Sequence, residues 1–293
     1  MKDKLLSIVI VTWNSEDDIA ECLGSIYNTF YDPGKLKIET IVIDNNSSDN
    51  SVQVIENFIK VFPHPVRLIK NNNNLGFTKG CNQGFHIAQG DAVMLLNPDT
   101  QVIDNALWIL YDKLFSSDKL GAVAPQLNTR NRNVQYTCRK LPRYSDLFYE
   151  LTMLSSLFPK NKFFSRWKMK YFLHDREMEV EQPMAAALLI KKTVIDEIKG
   201  IDERFYMFFN DIDLCKQIHD KGIKILFYPE ATIYHNIGTS ILKDRVRMIS
   251  VWNKDCLSYF RKYGYNPIAH FFLFLGLKIT GFIRIIFTKI IYG

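Results

Sequence analysis

Four short stretches hold the side chains able to do chemistry. In "LLNPDT" (95–100) an apolar run stops at Asn97, Pro98 and Asp99. Asp99 is either the cap of a following helix, a task Asp104 or Thr100 would do better, or half of a metal site. Mg²⁺ is typically held by one or two carboxylates plus substrate phosphates. In "IVIDNNSSDN" (41–50) Asp44 can accept the N3–H of a uracil or thymine ring while the Thr12 backbone meets a base carbonyl. It can equally brace an Asx-turn. "FFNDIDLC" (208–215) sets Asn210, Asp211 and Asp213 at the start of a helix. There they serve as cap and dipole partners, or one carboxylate takes a proton from a hydroxyl. His235, in "ATIYHNIGTS", is a lone histidine of the kind that is ordinarily structural; it gains chemical meaning if the fold brings it near Asp99.

The elements that must position these residues alternate in type. Ser7–Val11 reads as a buried strand, and Ser15 with Asp18 as a capping-box variant opening a helix to Tyr27. Strands over Ile38–Ile43, Val66–Ile69 and Ala92–Leu96 are separated by a helix capped by Ser48 or Asp49 and by a helix over Thr78–Ala88. A helix over Ile103–Leu114 follows, then, further on, a strand over Ala185–Ile190, a helix over Ile212–Lys221 stopped by Gly222, and a strand over Lys224–Tyr228. Strand–helix alternation predicts an α/β, Rossmann-like, mostly parallel sheet flanked by helices. Ligands on such sheets bind at the carboxyl ends of the strands, where Thr12–Asn14, Asp44–Ser47, Asn71–Gly76 and Asn97–Asp99 fall. None of these is a GxGxxG turn, which argues against a dinucleotide enzyme.

Composition, 47% hydrophobic and 23% charged, is that of a globular chain. Five scattered cysteines without a CxxC pair predict a reducing compartment and no cysteine metal site. Leu5–Trp13 runs straight into Asn14–Asp18 without a cleavage site, so a buried first strand is expected there, not a signal peptide. The net charge of +6 is uneven: residues 241–293 carry nine Lys/Arg against two Asp, and 128–182 carry eleven against six acids. No nucleic-acid module accompanies them; basic segments interleaved with aromatics suit an anionic membrane surface. Residues 128–182 break the alternation and read as a basic, aromatic, mobile or partner-facing insertion. Ile268–Gly293 is apolar with Lys278, Arg284 and Lys289 interspersed, and its longest charge-free piece is about half of what a span needs. An interfacial helix is expected, a core-packed terminal helix or a true span being the alternatives.

Taken together, "SIVIVTWNS", "IVIDNNSSDNS", "NNLGFTKGCNQG", "LLNPDT" and "GIDERFYMFFNDIDLCKQIHDKGIKILFYPEATIYHNIGTS" resemble family 2 inverting glycosyltransferases of the GT-A fold, in particular the rhamnosyltransferase-like bacterial branch. The resemblance covers roughly residues 5–240. It implies that Thr12, Asn14 and Asp44 contact the nucleoside, that Gly76, Asn82 and Asn97 line the pocket of the sugar donor, and that Asp99 holds Mg²⁺ or Mn²⁺. His235 then touches the metal or the diphosphate, and Asp211 is the catalytic base. Two positions depart from the branch. Asn210 stands where Glu is usual, and Ala185-Ala186 where Gly-Ala is usual.

The implied domains are a glycosyltransferase domain over 1–240, with the 128–182 insertion on the acceptor side, and a membrane-associating helical extension over 241–293. The implied reaction moves rhamnose or a similar sugar from a dTDP- or UDP-sugar to a hydroxyl of a saccharide, lipid-linked in the expected case, for cell-surface polysaccharide synthesis. Expected partners are the nucleoside-diphosphate sugar, that acceptor, the membrane surface and, in one reading, a second copy of the chain, with no nucleic acid. The expected place is the cytoplasmic face of the cell membrane. Two rivals stand beside this reading. A non-catalytic nucleotide-sugar-binding scaffold has Asn210 as its support, and a nucleotidyltransferase would want a Gly-rich loop that Thr12–Asp18 does not provide.

Overall fold

The computed structural model describes residues 4–27, 31–236 and 244–292. Residues 237–243, which hold the end of the "NIGTS" stretch and the expected boundary at 240, lie outside the described residues. Strand β1 (Leu5–Thr12) is buried along nearly its whole length, as an apolar run covered on both faces must be. Leu6, Ile8 and Ile10 enter one core layer, Val9 and Val11 the other.

Around β1 the sheet assembles from β2 (Lys37–Asp44), β3 (Val66–Lys70), β4 (Ala92–Leu96), β5 (Thr100–Val102), β6 (Leu120–Asn128), β8 (Met178–Glu179), β10 (Ala187–Lys191) and β11 (Lys224–His235). Its order is β3-β2-β1-β4-β10-β6-β11-β5, with β8 also on β11. A separate ribbon pairs β7 (Cys138–Arg139) with β9 (Gln182–Pro183). The expected parallel arrangement holds for β3, β2, β1 and β4 and again for β6 with β11. β10 enters antiparallel between β4 and β6, and β5 and β8 run antiparallel to β11, so the sheet is mixed.

Helices α1 (Ile19–Ile26), α2 (Ser51–Val61) and α4 (Ala106–Phe115) cover one face. Helices α3 (Phe77–Ile87), α7 (Lys192–Ile198) and α8 (Asn210–Asp220) cover the other. α3 approaches β1 closely because Gly84 faces Val9; a Cβ there would lie 2.3 Å from a Val9 methyl.

Local expectations shift in instructive ways. The capping box at Ser15 and Asp18 does not form: the Asp18 and Ile19 N–H groups donate to the Ser15 carbonyl, and the Ser15 N–H donates to Ser51 Oγ (2.7 Å). α2 has Asn50 in the cap position, while Asp49 accepts the Ser51 N–H (3.0 Å). β6 was not among the strands expected; Pro125 masks it, and lies beyond the part paired with β10. β11 runs on past Tyr228 to His235 by a register shift between Tyr228 and Thr232, so Pro229 sits in a bulge where its missing N–H is tolerated.

Much of 128–182 is packed rather than protruding. Trp167, Met169, Phe172 and His174 are buried, and the His174 imidazole accepts the Thr137 and Cys138 N–H groups. α5 (Tyr144–Leu151), on which the short α6 (Leu154–Leu157) packs, joins a third apolar cluster with α9 (Arg245–Lys262) and α10 (Pro267–Tyr292). α10 is not a core helix. Its stretch Pro267–Ile290 has mean hydropathy 1.8 with only 17% of its most apolar window buried, and it is long and apolar enough to cross a membrane. Leu273 and Leu277 face inward, while Phe271, Phe272, Phe282 and Phe287 lie exposed. Arg284 turns to α9, donating to Asn253 Oδ1 (2.9 Å).

Candidate active site

A cavity of about 440 Å³ lies at the carboxyl ends of β1, β4 and β11. Thr12, Gly76, Asn97, Asp99, Asp211 and His235 all line it, although they come from five separate stretches of chain.

Asp99 and His235 are brought together by backbone pairing. His235 ends β11 opposite Thr100 of β5, and the Asn236 N–H donates to the Asp99 carbonyl (2.8 Å). His235 Nε2 stands 3.5 Å from Asp99 Oδ1. Gln135 Nε2 donates to the His235 carbonyl (2.7 Å), which fixes the orientation of that amide. Its Oε1 therefore faces His235 Nδ1 at 2.9 Å and places the ring proton on Nδ1. Burial pushes the imidazole down to about 4, so the ring is neutral at neutral pH and the contact is not an ion pair. An imidazole lone pair and a carboxylate turned on one gap make the nitrogen–oxygen donor set a divalent cation takes. No cluster of three His, Cys, Asp or Glu occurs among the described residues, so the other coordination positions would fall to substrate oxygens or water. Asp99 does not cap α4: Asn105 holds that position and makes no side-chain cap.

Asp211 enters from the first turn of α8. The expected cap at Asn210 or Asp211 is absent, because Phe209, left-handed at φ 58°, is the cap residue. Asn210 instead donates to the Met207 carbonyl (2.7 Å) and fastens the preceding loop. Asp211 accepts from Gln182 Nε2 and from the Ile212 N–H, both at 2.8 Å. Burial raises its carboxyl above the ordinary value, against the opposing pull of the Arg139 guanidinium and of backbone N–H groups. Asp213 is different. It is fully buried and accepts from Lys262 (2.6 Å), Tyr263 (2.7 Å) and Gln217 (2.8 Å), a purely structural set.

Asn14, Asp44 and Asn82 lie off the cavity lining and tie the scaffold together. Asp44 accepts the Ser47 N–H (3.1 Å) in the turn its sequence suggested, and Asn14 accepts the Ser48 N–H (2.8 Å). Asn82 pairs twice with the backbone of Ile201. Thr12 is fully buried; its carbonyl accepts the Asn45 N–H, and its hydroxyl has no hydrogen-bond partner among the described residues.

Gly76, at φ +87°, packs under Tyr206; a Cβ there would meet the ring at 2.7 Å and the Tyr206 carbonyl at 2.8 Å. Gly76→Ala is therefore expected to cost about 1–3 kcal/mol and to push Tyr206 outward, read by denaturant unfolding. An unchanged midpoint would mean that the loop absorbs the methyl. Sequence reasoning missed Gln135, Arg139, Trp167, Gln182 and Trp252. They carry no motif, and Trp252 lies in a segment assigned to the membrane.

The chain belongs to glycosyl transferase family 2, whose family model matches residues 7–173, and it is a glycosyltransferase. It is 24% identical over 264 residues to the N-acetylglucosaminyl-diphospho-decaprenol L-rhamnosyltransferase of Mycobacterium tuberculosis, covering 86% of this chain and 82% of that protein. It is 29% identical over 128 residues to the poly-beta-1,6-N-acetyl-D-glucosamine synthase of Staphylococcus epidermidis, covering 44% and 30%. Among solved structures, the mannosyltransferase PcManGT from Pyrobaculum calidifontis, in complex with GDP-Man and Mn²⁺, aligns with TM-score 0.59 at 15% identity over 92% of this chain and 68% of that one. GalNAc-T7 with UDP, GalNAc and Mn²⁺ aligns with TM-score 0.62 at 17% identity, over 86% and 48%. These likenesses establish the GT-A fold.

Proposed function

We propose that the protein transfers a sugar, with inversion, from a dTDP- or UDP-sugar to a hydroxyl of a lipid-linked saccharide. The observation that carries this reading is the meeting of the Asp99–His235 pair and the buried Asp211 carboxylate in one cavity. The relatives' names, rhamnosyl transfer to a diphospho-decaprenol saccharide and polysaccharide synthesis, support the acceptor class.

A nucleoside-diphosphate sugar lies across the strand ends, its diphosphate toward Asp99 and His235. A divalent cation held by that pair would offset charge on the departing diphosphate. Asp211, oriented by Gln182 and the Ile212 N–H, accepts the acceptor's hydroxyl proton as that oxygen attacks the anomeric carbon opposite the leaving group. A single base and an in-line attack give inversion. Trp167, Phe209 and Trp252 wall the cavity and keep water from competing with the acceptor. The test is thermal shift across UDP-, dTDP- and GDP-sugars with and without Mn²⁺. Stabilisation by one of them that depends on Mn²⁺ supports the reading, and no response from folded protein sinks it.

The exposed apolar face of α10 is the membrane-facing element of the same reading, on the cytoplasmic side. Removing 268–293 is expected to release the protein from anionic vesicles in a sedimentation assay. Equal sedimentation of the two forms would remove α10 from that role.

A further inference from the structure

We infer that Arg139 binds a phosphate group of the acceptor, so that the acceptor is a saccharide whose attacking hydroxyl lies within about one sugar unit of a phosphate or diphosphate ester. This deepens the function proposed above and rests on it.

Arg139 lies on β7, half-buried, in the wall of the cavity. Its register partner across the ribbon is Gln182, the residue that holds Asp211. Among the described residues no acceptor hydrogen-bonds or ion-pairs with its guanidinium, whereas Arg166 of the neighbouring chain is engaged with Asp146 (2.6 Å). A guanidinium carries five N–H donors in a planar fork that matches phosphate and carboxylate oxygens. A half-buried guanidinium with no protein acceptor among the described residues, set in a cavity walled by Trp167 and Phe209, is open to an anionic ligand.

The place of Arg139 indicates which ligand. Its strand partner Gln182 donates to the Asp211 carboxylate at 2.8 Å, and the Arg139 charge acts on that same carboxylate. Arg139 therefore belongs to the side of the cavity where the base meets the acceptor hydroxyl, away from the donor diphosphate at Asp99. Asp211 feels the charge of Arg139 without forming a hydrogen bond or ion pair with it, so the guanidinium donors remain open to a ligand. A second cation, Arg247, lines the cavity from α9 beside Trp252. α9 is also the helix on which the exposed apolar α10 packs, through Arg284 with Asn253 and over the Trp252 ring at 5.6 Å. Phosphate bound between base and α9 would have its lipid chain near the apolar surface of α10.

The test uses the full chain, with the nucleoside diphosphate that binds best and excess Mn²⁺ present to fill the donor side. Farnesyl diphosphate is titrated while the fluorescence of the cavity tryptophans is followed, with farnesol and glucuronate as controls. Farnesyl diphosphate is expected to bind wild type, and Arg139→Gln to weaken it about ten- to a hundredfold while nucleotide affinity holds. Farnesol and glucuronate are expected to bind weakly and equally to both proteins. Undiminished binding of farnesyl diphosphate to Arg139→Gln overturns the proposal. So does an equal loss of nucleotide affinity, which would put Arg139 on the donor side, and so does Arg139-dependent binding of glucuronate in place of the diphosphate. Should Arg139→Gln not fold, Arg139→Lys decides: several-fold weakening supports the fork, and wild-type affinity overturns it. Failure of wild type to bind any nucleoside diphosphate would sink the proposed function instead, and the farnesyl diphosphate arm would still report on Arg139 by itself.

Discussion

Asp211→Asn is expected to lower sugar transfer by about 10²–10⁴-fold while leaving nucleotide binding intact. The amide is isosteric, so the Ile212 N–H keeps an oxygen partner. Only the ability to take a proton is lost. Gln182, which bonds the other carboxylate oxygen, would then face the amide NH₂, and its own Oε1, buried and without a partner among the described residues, is available to accept once its amide turns over. The fold should survive for that reason.

The pH profile of the wild type gives an independent reading. The raised carboxyl of Asp211 must be ionised to act, so activity falls as pH drops through a midpoint above the ordinary carboxylate range. Asp211→Asn should flatten that limb along with the rate. Activity within severalfold of wild type, or a persisting limb at the same pH, would remove Asp211 as the base.

Asp99→Ala is expected to abolish the Mn²⁺-dependent part of nucleotide-sugar binding. Among the described residues the carboxylate and the His235 imidazole are the two groups that face one another across the gap, and alanine leaves a neutral imidazole there without its charged partner. Removing an outer partner of a metal-binding histidine typically costs 10–100-fold. Loss of the carboxylate should exceed that, with Gln135→Leu falling inside it by freeing the ring tautomer. Titration of Mn²⁺ followed by nucleotide thermal shift would order the three proteins as wild type, Gln135→Leu, Asp99→Ala. Equal Mn²⁺ dependence in Asp99→Ala and wild type would move the metal, and with it the diphosphate, elsewhere in the cavity.

Sequence read well where one segment determines its own fate. β4 runs from Ala92 to Leu96, as its unbroken apolar run requires, and β1, β2 and β3 match to within a few residues. It read poorly where partners arrive from a distance. β10 enters antiparallel because of neighbours it meets only in the sheet, and nothing within Ala187–Lys191 announces that direction. Pro229 looked like the end of a strand because a bulge is a property of two chains rather than one. The same division holds at the site. Asp99, Asp211 and His235 stand out beside strand ends and a helix start, and all three reach the cavity. The residues that set their chemistry do not stand out: Gln135 lies a hundred positions before His235, and Gln182 lies 29 before Asp211. The sequence also could not separate Asp211 from Asp213, two positions apart. The choice is made by Lys262 and Tyr263, which engage Asp213 and not Asp211.

The clamp that α9 places on α8 has a temporal consequence. Asp255 of α9 accepts the Met207 and Phe208 N–H groups at 3.1 and 3.0 Å, and Lys262 neutralises Asp213. Both contacts act on chain that leaves the ribosome 47 to 49 residues earlier. While α9 is still being synthesised, β11 can already pair with β6, but the loop before Asp211 lacks its acceptor and Asp213 its cation. The sheet therefore matures before the proposed base does, and a nascent chain that has completed its strands still has an unfastened loop ahead of Asp211.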